Sequence, residues 1–131
     1  MFIDASALCA VLLREPGGRA IDDKIASSVR NQTSAIAVFE TVLAVARSMG
    51  GDVSIARRDV DDYLAVSNVE IVSISADELA RALDAFDRFG KGRHPAKLNM
   101  GDCFAYACAK TQGVPLLFKG DDFSQTDIAI A

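Results

Sequence analysis

Tryptophan is absent from this chain, histidine occurs once, as His94, and cysteine only three times, as Cys9, Cys103 and Cys108. An odd number of cysteines, with no Cys-x-x-Cys spacing and no histidine pair nearby, argues against a disulfide framework and against a zinc site. All three read as small core residues of a protein in a reducing cytosol. A stacking platform for single-stranded nucleic acid is missing too, because Phe86, Phe89, Phe104 and Tyr106 fall at helix-packing positions. The apolar start, Met1 to Leu13, is too short to cross a bilayer, carries Asp4 near its beginning and has no basic flank. Neither a membrane span nor a leader is expected from it, and the cytoplasm is the expected location. No segment repeats at a period of about 20–50 residues, and the three prolines are scattered rather than gathered in a linker. Positive charge is also in deficit: the formal net charge is −4, the opposite of a nucleic-acid binder's usual balance unless some acids are neutralised by a cation.

What is present is an ordinary globular composition, 50% hydrophobic and 24% charged over 131 residues. That is one domain, residues 1–131, with enough chain for one core. Short β-rich runs alternate with helical patterns. Met1 to Asp4 is an apolar run and Ala5 to Arg14 a helix; Pro16-Gly17-Gly18 breaks the chain before a second helix from Arg19 to Val29. Gln32 to Ser34 reads as a brief strand, with Ser34 capping a helix from Ala35 to Ser48 that Gly50-Gly51 closes. Ser54 is the expected cap of a helix from Ile55 to Ser67, and Val69 to Ile74 is the clearest β-branched run. Ser75 and Glu78 form a capping box for a helix to about Phe89, a loop follows to Leu98, and Asn99 caps a helix that ends near Gln112 with Gly113 beyond it. Val114 to Phe118 and Ile128 to Ala131 read as the last two strands. Strands separated by helices imply an α/β fold with a mainly parallel sheet covered on both faces, whose site lies beyond the carboxyl ends of the strands.

Four acidic positions fall in or beside apolar segments: Asp4, Glu40, Asp102 and the Asp121/Asp122 pair. Asp4 ends the first strand, and Asp121/Asp122 follow the VPLLF strand, so both belong at the carboxyl edge. Glu40, four residues after Ile36 and three before Leu43, lies on an apolar helical stripe and is expected to point inward. Asp102 sits in a first helical turn, where the helix dipole favours negative charge. Each acid also has an ordinary reading: a helix cap for Asp4, a dipole partner for Asp102, a turn residue for Asp121 or Asp122, a solvated rim position or a pairing with Arg47 for Glu40. Gathered in one place, they would raise one another's pKa and call for a cation. Oxygen donors with little nitrogen or sulfur favour Mg²⁺ or Mn²⁺ over zinc. Such an ion acidifies a water and stabilises the charge that develops on a phosphodiester, so metal-assisted phosphodiester hydrolysis is the chemistry these residues fit best.

Four blocks, MFIDASAL, SAIAVFE from Ser34 to Glu40, LNMGDCFAYACAK from Leu98 to Lys110 and LLFKGDDFSQTDI from Leu116 to Ile128, occur in an order and spacing that resemble the PIN-domain family, specifically VapC-type ribonuclease toxins. The resemblance runs across nearly the whole chain. It implies a three-layer α/β/α fold, Mg²⁺- or Mn²⁺-dependent endoribonuclease activity, and neutralisation by a cognate VapB-type antitoxin. Asp4, Glu40 and Asp102 match the first three family acids. For the fourth, Asp122 is favoured because it directly precedes the phenylalanine, with Asp121 second and Asp127 close behind. The resemblance makes Asp4 and Asp102 direct metal ligands, with Glu40 and Asp122 ligating or holding water. Ser6, two residues after Asp4, is a donor to a carboxylate or a substrate phosphate, or simply a helix-start hydroxyl.

Substrate contact needs positive charge. Arg81, Arg88, Lys91, Arg93 and Lys97, against Asp84 and Asp87, make the stretch around His94 locally basic; it reads either as an RNA-contacting loop or as a solvated helix face. Lys119, beside the fourth acid, is a further candidate for phosphate contact, as is Arg93. Two other phosphoryl-handling architectures fit less well. A receiver domain would carry an acid pair after its first strand and an acceptor Asp after a central one, whereas VEIVSIS ends in serine; a haloacid-dehalogenase-type phosphatase would carry Asp where Ser6 stands. The remaining alternative is a catalytically silent PIN-like interaction module. A homodimer is expected, with the N-terminal helices and the Ile55–Ser67 helix as candidate dimer or antitoxin surface.

Overall fold

Two adjacent apolar residues set the layering of the molecule. In the structure, a computed structural model describing residues 1–131, Phe2 and Ile3 form the first strand, β1 (Phe2–Ile3), and point to opposite faces of the sheet, as the two-residue period of a strand requires. Phe2 packs with Ala85, Phe89, Tyr106, Cys108 and Leu116. Ile3 packs with Leu8, Ile25, Val42, Val60 and Leu117. The last strand, β4 (Leu116–Leu117), repeats the alternation, Leu116 beside Phe2 and Leu117 beside Ile3 in register. Two apolar cores therefore lie on either side of one sheet.

The elements between them follow in order: α1 (Ala5–Leu12), α2 (Gly18–Ser27), β2 (Asn31–Ser34), α3 (Ala35–Ser48), α4 (Val53–Val66), β3 (Val69–Val72), α5 (Ala76–Phe89) and α6 (Met100–Gln112). The four strands lie side by side in the order β3-β2-β1-β4, all parallel. Helices α1, α2, α3 and α4 cover one face and α5 and α6 the other, giving three layers, α/β/α. The chain runs outward from β1 through β2 to β3, then returns to place β4 on the other flank of β1. That reversal opens a crevice at the carboxyl ends of β1 and β4, where sheets of this kind carry their sites.

Helix starts agree closely with the sequence signals where a capping side chain is decisive. Ser34 Oγ accepts from Ala37 N at 3.2 Å; Ser75 and Glu78 form the reciprocal box; Asn99 and Asp102 form another, and Gly113 takes the left-handed conformation, φ 65°, that ends α6. Three expectations are corrected. The cap of α4 is Asp52, whose Oδ1 accepts from Ser54 N and Ile55 N at 2.9 and 3.0 Å, so Ser54 lies inside the helix. The expected strand Ile128–Ala131 is reduced to an isolated bridge between Ile130 and Leu116. The second strand is one residue longer than its sequence suggests and wholly polar, yet all of Asn31-Gln32-Thr33-Ser34 is buried. Thr33 Oγ1 donates to Ile3 O at 2.8 Å and Asn31 Nδ2 to Ile25 O at 2.9 Å, while the Gln32 amide has no partner in the protein. No helix is long and apolar enough to cross a membrane.

Candidate active site at the carboxyl edge of the sheet

Asp4 sits where β1 gives way to α1, and its position is fixed by hydrogen bonds on both sides. Its backbone N–H donates to Leu117 O of β4 at 2.9 Å, and its Oδ2 caps α1 by accepting from Ser6 N at 2.9 Å and Ser6 Oγ at 2.5 Å. The side chain is 3% exposed. Burial pushes its carboxyl above the ordinary range, the two bonds from Ser6 oppose this, and the charge of Asp122 adds to the rise. A buried carboxylate with no basic partner, held ready beside other acids, is costly as structure alone.

Asp102 approaches from α6. Its Oδ2 accepts from Asn99 N at 2.8 Å and Asn99 Oδ1 accepts from Asp102 N at 3.0 Å, which locks the first turn of the helix and aims the carboxylate back over its N-terminus. Half-burial drives the pKa to about 6, against the Asn99 N–H, with the charges of Asp4 and Asp122 contributing. Glu40, half-buried on α3, is raised first by burial and then by Asp4 and Asp102. It does not point into the core as the sequence pattern suggested. The buried stripe of α3 runs through Ala37, Val38, Thr41, Val42, Val45 and Ala46, and Glu40 lies on its rim, with its carboxylate against Gly101 in the first turn of α6. Ile36 and Leu43, which framed the expected stripe, are partly exposed themselves.

The fourth contribution comes from the turn after β4. Gly120, with φ 109°, takes a backbone conformation that a side chain would strain, and Phe123, 2% exposed and 5.0 Å from the Phe118 ring, anchors the following 3₁₀ turn. Asp122 is thereby held near enough for its charge to act on both Asp4 and Asp102. Neither Asp121 nor Asp127 acts on them in this way. The Asp121 carbonyl accepts from Ser124 within the turn, while Asp127 faces elsewhere: Tyr106 Oη donates to it at 2.5 Å, Arg88 at 3.0 Å, and Lys110 lies 3.6 Å away. Tyr106 above all, then Arg88 and Lys110, hold its pKa down to about 2. Thus Asp4, Glu40, Asp102 and Asp122, from four separate segments, share one edge of the sheet.

The residues suggested for substrate contact are distributed differently. Ser6 Oγ is committed on both sides, donating to Asp4 and accepting from Lys119 N at 3.0 Å, so it ties β1 to the turn after β4. Lys119 Nζ pairs with Glu15 at 2.5 Å, a partner that no sequence spacing announced. Arg93 pairs with Asp87 at 2.8 Å and lies over the Phe86 ring at 5.8 Å. Two of the five cations of the basic stretch are therefore compensated, Arg88 by Asp127 and Arg93 by Asp87.

The donor set suits a hard divalent cation in kind, being carboxylate oxygen throughout. No lysine or arginine pairs with Asp4, Glu40 or Asp102, and burial first, then neighbouring acid charge, raises the pKa of each, an environment in which a divalent cation would offset the negative charge. No three acid, histidine or cysteine side chains already stand in a ligand cage.

A model of the PIN domain matches residues 1–129. The chain belongs to the PIN-domain family. Ribonuclease VapC from Mycolicibacterium smegmatis is 40% identical over 129 residues, covering 98% of each chain. In fold, the chain resembles Mycobacterium tuberculosis VapC20, described as a sarcin–ricin loop cleaving toxin, with a TM-score of 0.79 over 99% of this chain and 97% of that one at 18% identity. It resembles a chain of a toxin–antitoxin complex from Klebsiella pneumoniae with a TM-score of 0.71 at 19% identity, over 99% and 95% of the two chains. The three-layer arrangement is shared with these two solved structures.

Proposed function

We propose that this chain is an endoribonuclease dependent on Mg²⁺ or Mn²⁺, the toxin of a type II toxin–antitoxin pair, acting in the cytoplasm and restrained by a VapB-type antitoxin. The observation that carries the reading is the meeting of Asp4, Glu40, Asp102 and Asp122 at one sheet edge, where burial first and neighbouring negative charge second raise the pKa of Asp4, Glu40 and Asp102, and no basic side chain pairs with them. Relatives named ribonuclease VapC, similar over the whole chain, favour RNA as the substrate. When bound, the divalent cation supplies positive charge to the scissile phosphate and acidifies the attacking water. Asp4 and Asp102 are its principal holders. Ser6 and Asn99 fix their carboxylates in place, and Glu40 and Asp122 orient water from the flanks. Lys119, once released from Glu15, and the uncompensated Lys91 and Lys97 offer phosphate contacts.

A catalytically silent interaction module is the competing reading, and the presence of all four acids speaks against it. The groove of about 290 Å³ between α3 and α4, lined by Val38, Phe39, Val42, Leu43, Val53 and Ile71, and the exposed Leu79, Leu83 and Met100 on the opposite layer, give apolar surface for an antitoxin and for a homodimer. Light scattering that finds a monomer at every working concentration would refute the dimer. For the activity, the purified chain free of antitoxin is incubated with structured RNA and Mg²⁺ or Mn²⁺. Cleavage is expected, with Asp4→Asn and Asp102→Asn each lowering it by about a hundredfold or more. Undiminished cleavage in excess chelator would refute the metal dependence, and undiminished cleavage by both variants would refute the site.

A further inference from the structure

Nine glycines occur in the chain, and six of them have positive φ, where the missing side chain serves the backbone. Gly18, Gly90 and Gly101 do not. At Gly18 and Gly90 an added Cβ would collide with backbone carbonyls, of Ala10 and Phe86, so these two glycines allow chain segments to pass closely. Gly101 is different. It is a buried residue in the first turn of α6, where glycine is the poorest helix former after proline, by about 1 kcal/mol relative to alanine. A Cβ there would lie 2.6 Å from Glu40 Cδ and closer still to both Glu40 carboxylate oxygens, and it would meet nothing else nearer. The space left by the missing side chain is thus filled by an acid of the site.

We propose that Gly101 is a positioning residue, one that seats the Glu40 carboxylate beside Asp102 and so sets both the cation affinity and the cleavage rate. The inference rests on the nuclease reading above. The Glu40 side chain reaches across from α3 to α6, and its carboxylate occupies the space that a Gly101 Cβ would take, one residue from Asp102. In that place it feels the charges of both Asp4 and Asp102. A methyl group at position 101 leaves every acid present and every cap intact, yet takes the seat. Glu40 must then swing outward, because its partner is the far end of a flexible chain and not a rigid carbonyl.

The test compares wild type, Gly101→Ala, Glu40→Asp and the double variant in the full chain. RNA cleavage, Mn²⁺ affinity by calorimetry and melting temperature are measured for each. Gly101→Ala is expected to bind Mn²⁺ and cleave at least tenfold less well while melting at the same or a higher temperature, since alanine favours the helix. Aspartate is one methylene shorter and clears the new methyl, so Glu40→Asp is expected to cost less in the Gly101→Ala background than alone, a non-additivity that general damage to α6 would not give. Binding and cleavage by Gly101→Ala within twofold of wild type would overturn the inference. So would a fall of several degrees in melting temperature with the Glu40→Asp loss equal in both backgrounds. A wild type that neither binds Mn²⁺ nor cleaves RNA would instead remove the nuclease reading, and the role of Gly101 with it.

Discussion

Replacing Asp102 with asparagine should destroy the site and stabilise the metal-free fold, and the two effects should separate with pH. In the folded chain the Asp102 carboxyl titrates at about 6, against 3.8 for an ordinary aspartate, chiefly because it is half-buried and secondarily because Asp4 and Asp122 share the edge. A raised acid pKa means that folding favours the protonated form. The penalty is absent below about pH 3.8, grows as pH rises, and is complete above about pH 6. The full shift corresponds to about 3 kcal/mol at ~1.4 kcal/mol per unit; with solvent screening at a partly exposed side chain, about 1–2 kcal/mol is the working figure. Asparagine retains an oxygen to accept from Asn99 N, so the box that starts α6 survives. In chelator at pH 7.5, Asp102→Asn should therefore exceed wild type by about 1–2 kcal/mol in urea unfolding followed by circular dichroism, or roughly 4–8 °C in melting temperature. At pH 4 the two should coincide. Added Mn²⁺ should reverse the order by stabilising wild type alone, since only a folded state that binds the ion gains from it. A variant less stable than wild type at pH 7.5 without metal, or a gain that persists unchanged at pH 4, would refute the electrostatic account of the site.

Asp127→Asn should leave cleavage within about twofold, because its partners are Tyr106, Arg88 and Lys110 and it does not act on the other acids, while costing about 1 kcal/mol after screening at its half-exposed side chain. Since its pKa is held down to about 2, that loss should be present above pH 3.8 and fade as pH falls towards 2; a hundredfold loss of cleavage would place Asp127 in the site after all. Gln32 is 1% exposed with neither amide atom paired to the protein, so Gln32→Met, of similar volume, should raise stability by about 1–3 kcal/mol in the same urea assay. A loss of stability would mean that the amide is satisfied in solution.

Much of the site could be read in the residues because its members sit at element boundaries that local chemistry enforces. Asp4 at the end of an apolar pair, Asp102 three residues after Asn99 and Asp122 beyond the VPLLF run are placed by strand ends, a capping box and a turn, all of them short-range. Glu40 is visible as an acid in an apolar helix, but the side to which it points is not fixed by its local pattern. The buried face of α3 depends on which helices pack against it, and α6, some sixty residues later in the chain, supplies the surface that receives Glu40. The first strand pair shows the same division. Phe2 and Ile3 alternate by the geometry of any strand, whereas the identity of the two cores they enter is a matter of topology.

Sequence alone gives the alternation of strands and helices, the caps of α3, α5 and α6 and the candidate acids Asp4, Glu40 and Asp102, since each depends on residues within a few positions of one another. Tertiary structure decided the rest. Only the crossing from β3 to β4 on the far flank of β1 brings the turn holding Asp122 beside Asp4. Only neighbours on both sides bury the polar strand Asn31–Ser34, whose composition carries no apolar pattern. Asp127 and Asp122 differ little as residues in a run of acids. The reach of Tyr106 and Arg88 across the fold assigns one to a structural pair and leaves the other at the open edge, because electrostatic partnership depends on distance in space and not along the chain.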